Sequence, residues 1–136
     1  MKTRGLRNNN PGNIRRGEAW QGMAPVQSDA EFVTFESPVW GIRAMNRILS
    51  TYYHTYGLKT VRDIISRWAP PAENDTPSYI NAVANDMGVS PTATLRLPEQ
   101  APALTAAIIH HENGLQPYSE QTVAEGVARG WGTVNA

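Results

Sequence analysis

The chain has 136 residues, 12 Lys and Arg against 12 Asp and Glu, 40% hydrophobic residues and no cysteine. A chain of this length buries roughly two thirds of its unfolded surface, so one ordinary domain with a proper core is expected over 1–136 without disulfides or a structural metal. The missing cysteine excludes disulfide scaffolds, zinc–thiolate sites, iron–sulfur clusters and thiol nucleophiles together.

The first segment, MKTRGLRNNN, is basic but has no apolar run behind it, so it does not read as a secretory signal. Lys2, Arg4, Arg7, Arg15 and Arg16 lie in the first 16 residues with no acid among them, which leaves the remainder of the chain net acidic. Such an arm can attract an anionic polymer, although pairing with the chain's own acids is the plainer expectation. Short stretches at 13–15 and 31–35, separated by a loop rich in Gly, Pro and Gln, predict a small irregular β-hairpin. Ser37-Pro38 then opens a long amphipathic helix to about residue 56, with Ile42, Met45, Ile48, Leu49, Tyr52 and Tyr56 at helical spacing and Gly57 at the stop. Thr60 starts a second helix carrying Val61, Ile64, Ile65 and Trp68, closed by Pro70-Pro71. Thr76-Pro77 starts a third, with Ile80, Val83, Ala84 and Met87 inside and Gly88 behind it. Pro98 and Glu99 open a fourth, built on Leu104, Ala107 and Ile108 and stopped by Asn113-Gly114, and Ser119 opens the last. The most apolar window, 101–109, is far shorter than a bilayer span, so stable membrane insertion is not expected.

The available chemistry is narrow. His111-Glu112 fails as a zinc-protease motif because Leu115 stands where the second histidine belongs. Phosphate-cradling glycine loops and the G-x-S-x-G elbow are missing, and His54, His110 and His111 are badly spaced for a metal. Carboxylates, amides and aromatics remain, a set suited to carbohydrate chemistry without a cofactor. Glu112 stands out because it ends a helix, where the dipole opposes an anion and favours the protonated state of a general acid.

Residues 104–117, LTAAIIHHENGLQP, resemble the catalytic segment of the lytic transglycosylase and goose-type lysozyme superfamily, in which an apolar helix ends in a catalytic glutamate within E-S-G. Asn113 replaces the serine. DTPSYINAV at 75–83 resembles that family's E-T-x-x-Y-V-x-x-V helix, with Tyr79 at the tyrosine that faces the active site. NNNPGNIRRGEAWQG followed by FVTFES resembles the N-N-x-F-G-I-K and F-x-x-Y-x-S regions of bacterial glucosaminidases of the same lysozyme-like fold. The glutamate segment comes last here and first in the family, which a circular permutation would reconcile. The pattern as a whole, with WAPPAENDT in its middle, also resembles a family of small phage proteins of virion or endolysin type.

The resemblance implies a mainly α domain of lysozyme-like α+β type, a helical bundle around a central helix with a small β-hairpin near the N-terminus. It implies peptidoglycan glycan strands as partner, cleavage of the β-1,4 bond between N-acetylmuramic acid and N-acetylglucosamine, and no cofactor. Glu112 would be the general acid, Tyr79 would orient it or the substrate, and Glu18 could be a second carboxylate. Asn9, Asn10, Asn13, Trp20, Gln21, Glu73 and Asn74 are the candidate substrate contacts. A single strong carboxylate favours the transglycosylase route over hydrolysis. A monomer acting on the periplasmic wall from a phage virion or the host cytoplasm is expected. A virion structural or wall-binding protein that kept the fold without catalysis is the rival. A nucleic-acid module is disfavoured because aromatics do not interleave with the basic arm.

Overall fold

Six helices account for about half of residues 2–132, the part of the chain that this computed structural model describes. They are α1 (Arg4–Arg7), α2 (Pro38–His54), α3 (Val61–Trp68), α4 (Thr76–Met87), α5 (Ala101–Asn113) and α6 (Glu120–Trp131). Their starts follow from local chemistry. The side chains of Thr3, Thr60, Asp75 and Ser119 each accept from a first-turn backbone N–H, that of Leu6, Asp63, Ser78 and Thr122 respectively, satisfying donors that the helix leaves unpaired. Ser37 is extended ahead of Pro38 but makes no capping bond, so α2 begins on the preset φ of proline.

Three boundaries differ from the sequence reading. Asp75, not Thr76, caps α4, because the Thr76 hydroxyl donates instead to the Ala69 carbonyl at 2.6 Å. Residues 98–100 form a turn, in which the Ala101 N–H donates to the Pro98 carbonyl at 2.9 Å, and α5 begins only after it. Helix α2 ends at His54 rather than near residue 56.

Helix α5 carries no charged residue before its last turn and is largely apolar, and such a helix is mostly enclosed. Ala101, Leu104, Ala107, Ile108 and Ile109 are all buried, and α1, α2, α4 and α6 pack against it. The bundle around a central helix is therefore present. The α2 and α6 pair lies closest of all, since a Cβ on Gly126 would come within 2.5 Å of Ile42 and one on Gly130 would collide with Asn46. Buried Asn46 ties three helices together: it donates to Thr105 of α5 at 3.1 Å and accepts from the Trp131 indole of α6 at 2.9 Å.

The expected β-hairpin is reduced to two isolated antiparallel bridges, Arg15 with Phe32 and Met23 with Phe35, and no strand forms among the described residues. A few backbone bonds cross between the segments, such as the Val33 N–H to the Ile14 carbonyl at 3.0 Å and the Ala24 N–H to the Thr34 carbonyl at 2.9 Å, and side-chain amides bond the same stretch. Asn10 donates to the carbonyls of Ile14 and Val33, both at 2.9 Å, and Gln27 bonds both the N–H and the carbonyl of Thr34. The basic arm closes on the chain's own acids: Arg4 grips Asp29 with two bonds of 2.6 Å, and Arg15 reaches Glu31 and Glu73. That grip holds the Asp29 carboxyl well below the usual carboxylate range.

Candidate active site

Glu112 stands in the last turn of α5, where the buried stripe of Ile108 and Ile109 gives way to the surface. Its half-buried carboxylate meets two donors from distant parts of the chain. The Tyr79 hydroxyl of α4 donates to Oε2 at 2.6 Å, and the Asn13 amide of the N-terminal loop donates to Oε1 at 2.8 Å. Ile108 and Ile109 turn into the core, and polar donors face the carboxylate.

Tyr79 is 2% exposed, so its ring belongs to the core while its hydroxyl belongs to the site. Burial, and then the adjacent Glu112 carboxylate, push its phenol far above the ordinary value, which keeps it a donor throughout the physiological range. The His111 ring lies on the Tyr79 ring with centroids 3.8 Å apart. Asn13 adopts the left-handed conformation, φ 53°, a geometry Asn tolerates better than most residues. Its Oδ1 is buried with no partner among the described residues.

The loop is held in place from below. Asn113 is buried beside Glu112, donates to the carbonyls of Pro11 and Ile109 at 3.0 and 2.9 Å, and accepts from the Thr3 hydroxyl at 2.7 Å. Read from the sequence as a helix stop, it is the clamp between the N-terminal segment and α5. Gly12 leaves no room for a side chain there, since a Cβ would press on Met45 and Trp68.

These residues open into a cleft of about 370 Å³. Asn13, Arg15 and Phe32 form one wall, Ile48, Tyr52 and Trp68 another, and Glu73, Asn74 and Glu112 also line it. Trp68 is half-buried, packs against the core and lines the cleft. The Glu73 carboxylate is 3.4 Å from the Arg15 guanidinium, and the Asn74 amide donates to the Pro70 carbonyl at 3.2 Å. A second depression of about 340 Å³ adjoins the first through Ile48 and Tyr52, and Glu18 and Trp20 line that one.

The structure thus brings Glu112, Tyr79, Asn13, Glu73 and Asn74 together and sets the other candidates apart. Asn10 is fully buried and spends its amide on Ile14 and Val33, so it cannot line a cleft. Asn9, φ 52°, donates to the Phe35 carbonyl at 3.0 Å, which makes it a loop-shaping residue. Gln21 is exposed and lines neither depression. Glu18 is exposed on the neighbouring depression, not beside Glu112. Arg15, Phe32, Tyr52 and Asn113 were not singled out as site residues, because each looks like an ordinary surface, core or capping residue until the N-terminal loop is folded back onto α5.

No helix among the described residues is long and apolar enough to cross a membrane. Fold and cleft together define a small, mainly helical domain with one carboxylate, bonded by an amide and a phenol, at the end of its central helix. Over 133 residues the chain is 46% identical to a bacteriophage protein, Protein P5 of Pseudoalteromonas phage PM2, and the match covers 95% of this chain and 81% of that protein. The chain belongs to the family of that phage protein. No protein-family model matches it.

Proposed function

We propose that this phage-family protein cleaves the β-1,4 bond between N-acetylmuramic acid and N-acetylglucosamine in peptidoglycan, as a lytic transglycosylase on a circularly permuted lysozyme-like fold. The observation that carries this reading is the Glu112 carboxylate opening into an aromatic-walled cleft between Tyr79 and Asn13. In the proposed reaction Glu112 protonates the glycosidic oxygen as its bond to muramyl C1 breaks. The resulting carboxylate then takes the proton of the muramyl 6-hydroxyl as that oxygen bonds to C1, which gives a 1,6-anhydro end and restores the acid. Tyr79 and Asn13 fix the carboxylate during both transfers. Trp68 offers aromatic surface to the sugars beside Phe32 and Tyr52, whose rings also carry arginine guanidiniums, and neither a cofactor nor a second carboxylate enters. The protein would act as a monomer on the periplasmic wall, from the virion or the host cytoplasm.

Mass spectrometry of purified peptidoglycan after digestion tests this directly. Anhydromuramyl ends are expected, with Glu18→Gln close to the parent activity. Reducing ends, with Glu18 as damaging to lose as Glu112, would assign a two-carboxylate hydrolase instead. One observation favours a second reading: both Glu112 oxygens are already bonded within the protein, as in a structural tie between α4, α5 and the N-terminal loop. A virion structural or wall-binding protein fits that tie, and no muropeptide release would establish it.

A further inference from the structure

The depression beside the cleft differs from it in charge and in wall chemistry. Its floor is two tyrosines, and one side is the guanidinium of Arg67, whose carbon lies 4.0 Å over the Tyr56 ring and 5.4 Å over the Tyr52 ring. Arg4, Arg15 and Arg129 each pair with a carboxylate, whereas no acidic side chain among the described residues pairs with Arg67. Arg47 lines the same depression and gives one N–H to the Gly130 carbonyl at 3.1 Å. Glu18, exposed, is the acid there, so the two guanidiniums outnumber it. The guanidinium is held in place by the rings and by a hydrogen bond to the Tyr52 hydroxyl, and its remaining edge N–H groups form an arrangement suited to a carboxylate.

The depression is also continuous with the Glu112 cleft, because Ile48 and Tyr52 line both. A polymer lying in the cleft would pass a side branch across Tyr52 towards Arg67. We propose that this depression is a second binding site, which takes a carboxylate-bearing peptide branch of the polymer that occupies the cleft, with Arg67 as its principal anion contact. The inference rests on the peptidoglycan reading, since the muramyl residue of that polymer carries such a branch. It adds that the protein discriminates between glycan strands with and without their peptides.

The test measures binding of the full chain carrying Glu112→Gln, so that the polymer survives, to two insoluble substrates from one source: peptidoglycan with its stem peptides, and the same glycan after an amidase has removed them. Affinity for the stem-bearing polymer should be about tenfold higher, the scale of one charge-assisted contact, and the difference should shrink as salt is raised. Adding Arg67→Gln should bring affinity for the stem-bearing polymer down to that for the stripped one, and Arg67→Lys should restore part of it. Should R67Q fail to fold, competition on the R67-intact protein takes its place, with a disaccharide-peptide displacing the polymer better than the bare disaccharide. Equal affinity for both polymers, or a folded R67Q protein with undiminished preference, would overturn the second site while leaving the cleavage reading intact. Binding to neither polymer would overturn both. Arg67-dependent binding without muropeptide release by the parent protein would overturn the cleavage reading and support the site.

Discussion

Replacing Glu112 by Gln tests the centre of the proposal, and the hydrogen bonds around it say what else should happen. Oε2 accepts from a Tyr79 phenol held protonated, so the carbonyl oxygen of Gln can keep that bond. Its amide nitrogen then faces the Asn13 Nδ2, donor against donor, where the native pair was a 2.8 Å bond. Asn13 has a remedy, because its own Oδ1 is buried without a partner and a half-turn of the amide brings that oxygen round to accept. The substitution should therefore cost about 1 kcal/mol or less. At about 2.1 cal/mol/K per residue of unfolding entropy, that is a fall in Tm of about 3 to 4 °C for a chain of this size. Loss of a general acid, in contrast, should reduce cleavage by about 100- to 10,000-fold. The assay is turbidity clearance of purified peptidoglycan, with chromatography of released muropeptides and a thermal melt on the same preparation. Cleavage within threefold of the parent, by a protein melting within a few degrees of it, would refute the assignment of Glu112. A collapse in Tm of 10 °C or more would refute the amide-rotation argument and make Glu112 a structural tie.

Tyr79→Phe should cut activity about tenfold and also flatten the alkaline limb of stability. A phenol that ionises near the ordinary 10.0 when unfolded but stays protonated when folded stabilises the protein fully below that pH, and the contribution is lost as pH rises above it. At pH 11 the difference is about 1.4 kcal/mol, seen as a smaller fall in Tm between pH 9 and 11 for the Phe variant than for the parent. Asn113→Ala removes the clamp of α5 on the Pro11 carbonyl and should cost about 1 to 3 kcal/mol; activity should fall further than that stability loss alone explains, as a comparison of rates well below both melting points would show. Ile108→Ala, at a fully buried position of the central helix, should cost about 2 to 5 kcal/mol by denaturant titration.

The helices were legible because their signals are local. Caps, helix-opening prolines and a 3.6-residue apolar period lie within one segment and do not depend on the rest of the fold. Helix α1 was not, because RGLR has no apolar period, and what anchors it is Thr3 bonding to Asn113, 110 residues away. The hairpin was overread for a related reason: the segments do lie side by side and share a few backbone bonds, but only two isolated bridges form and the Asn10 and Gln27 amides supply much of the remaining cross-linking, which composition does not reveal. Within the site, the helix-end position marked Glu112, whereas three neighbouring asparagines of identical chemistry received identical roles. The structure separates them by backbone geometry: Asn10 props the loop from inside, Asn9 pins Phe35, and Asn13 alone faces Glu112. Trp68 shares a helical face with Ile64 and Ile65 and so reads as core. It lines the cleft because α3 stops at Trp68 and the wall opposite it is the N-terminal loop.

The order in which these pieces occur along the chain constrains how the site can form. Glu112 meets Tyr79 across 33 residues and Asn13 across 99, so neither contact exists until the bundle is assembled, and the second needs the N-terminal loop as well. Most of α5 upstream of His110 is buried, so its carboxylate sits in the last turn, where the core stops. Closure of that end is then the work of Asn113, one residue on, whose bond to the Pro11 carbonyl fixes the approach of Asn13 two residues further along the loop. Geometry at Glu112 thus depends on docking of residues 2–16 as well as on the helical core, which supplies Tyr79. Loosening that segment from α5 would remove the Asn13 donor and the Arg15 wall of the cleft, and would also take Ile14 out of the core. The chemistry depends on that segment although the carboxylate itself belongs to a helix near the other end of the chain.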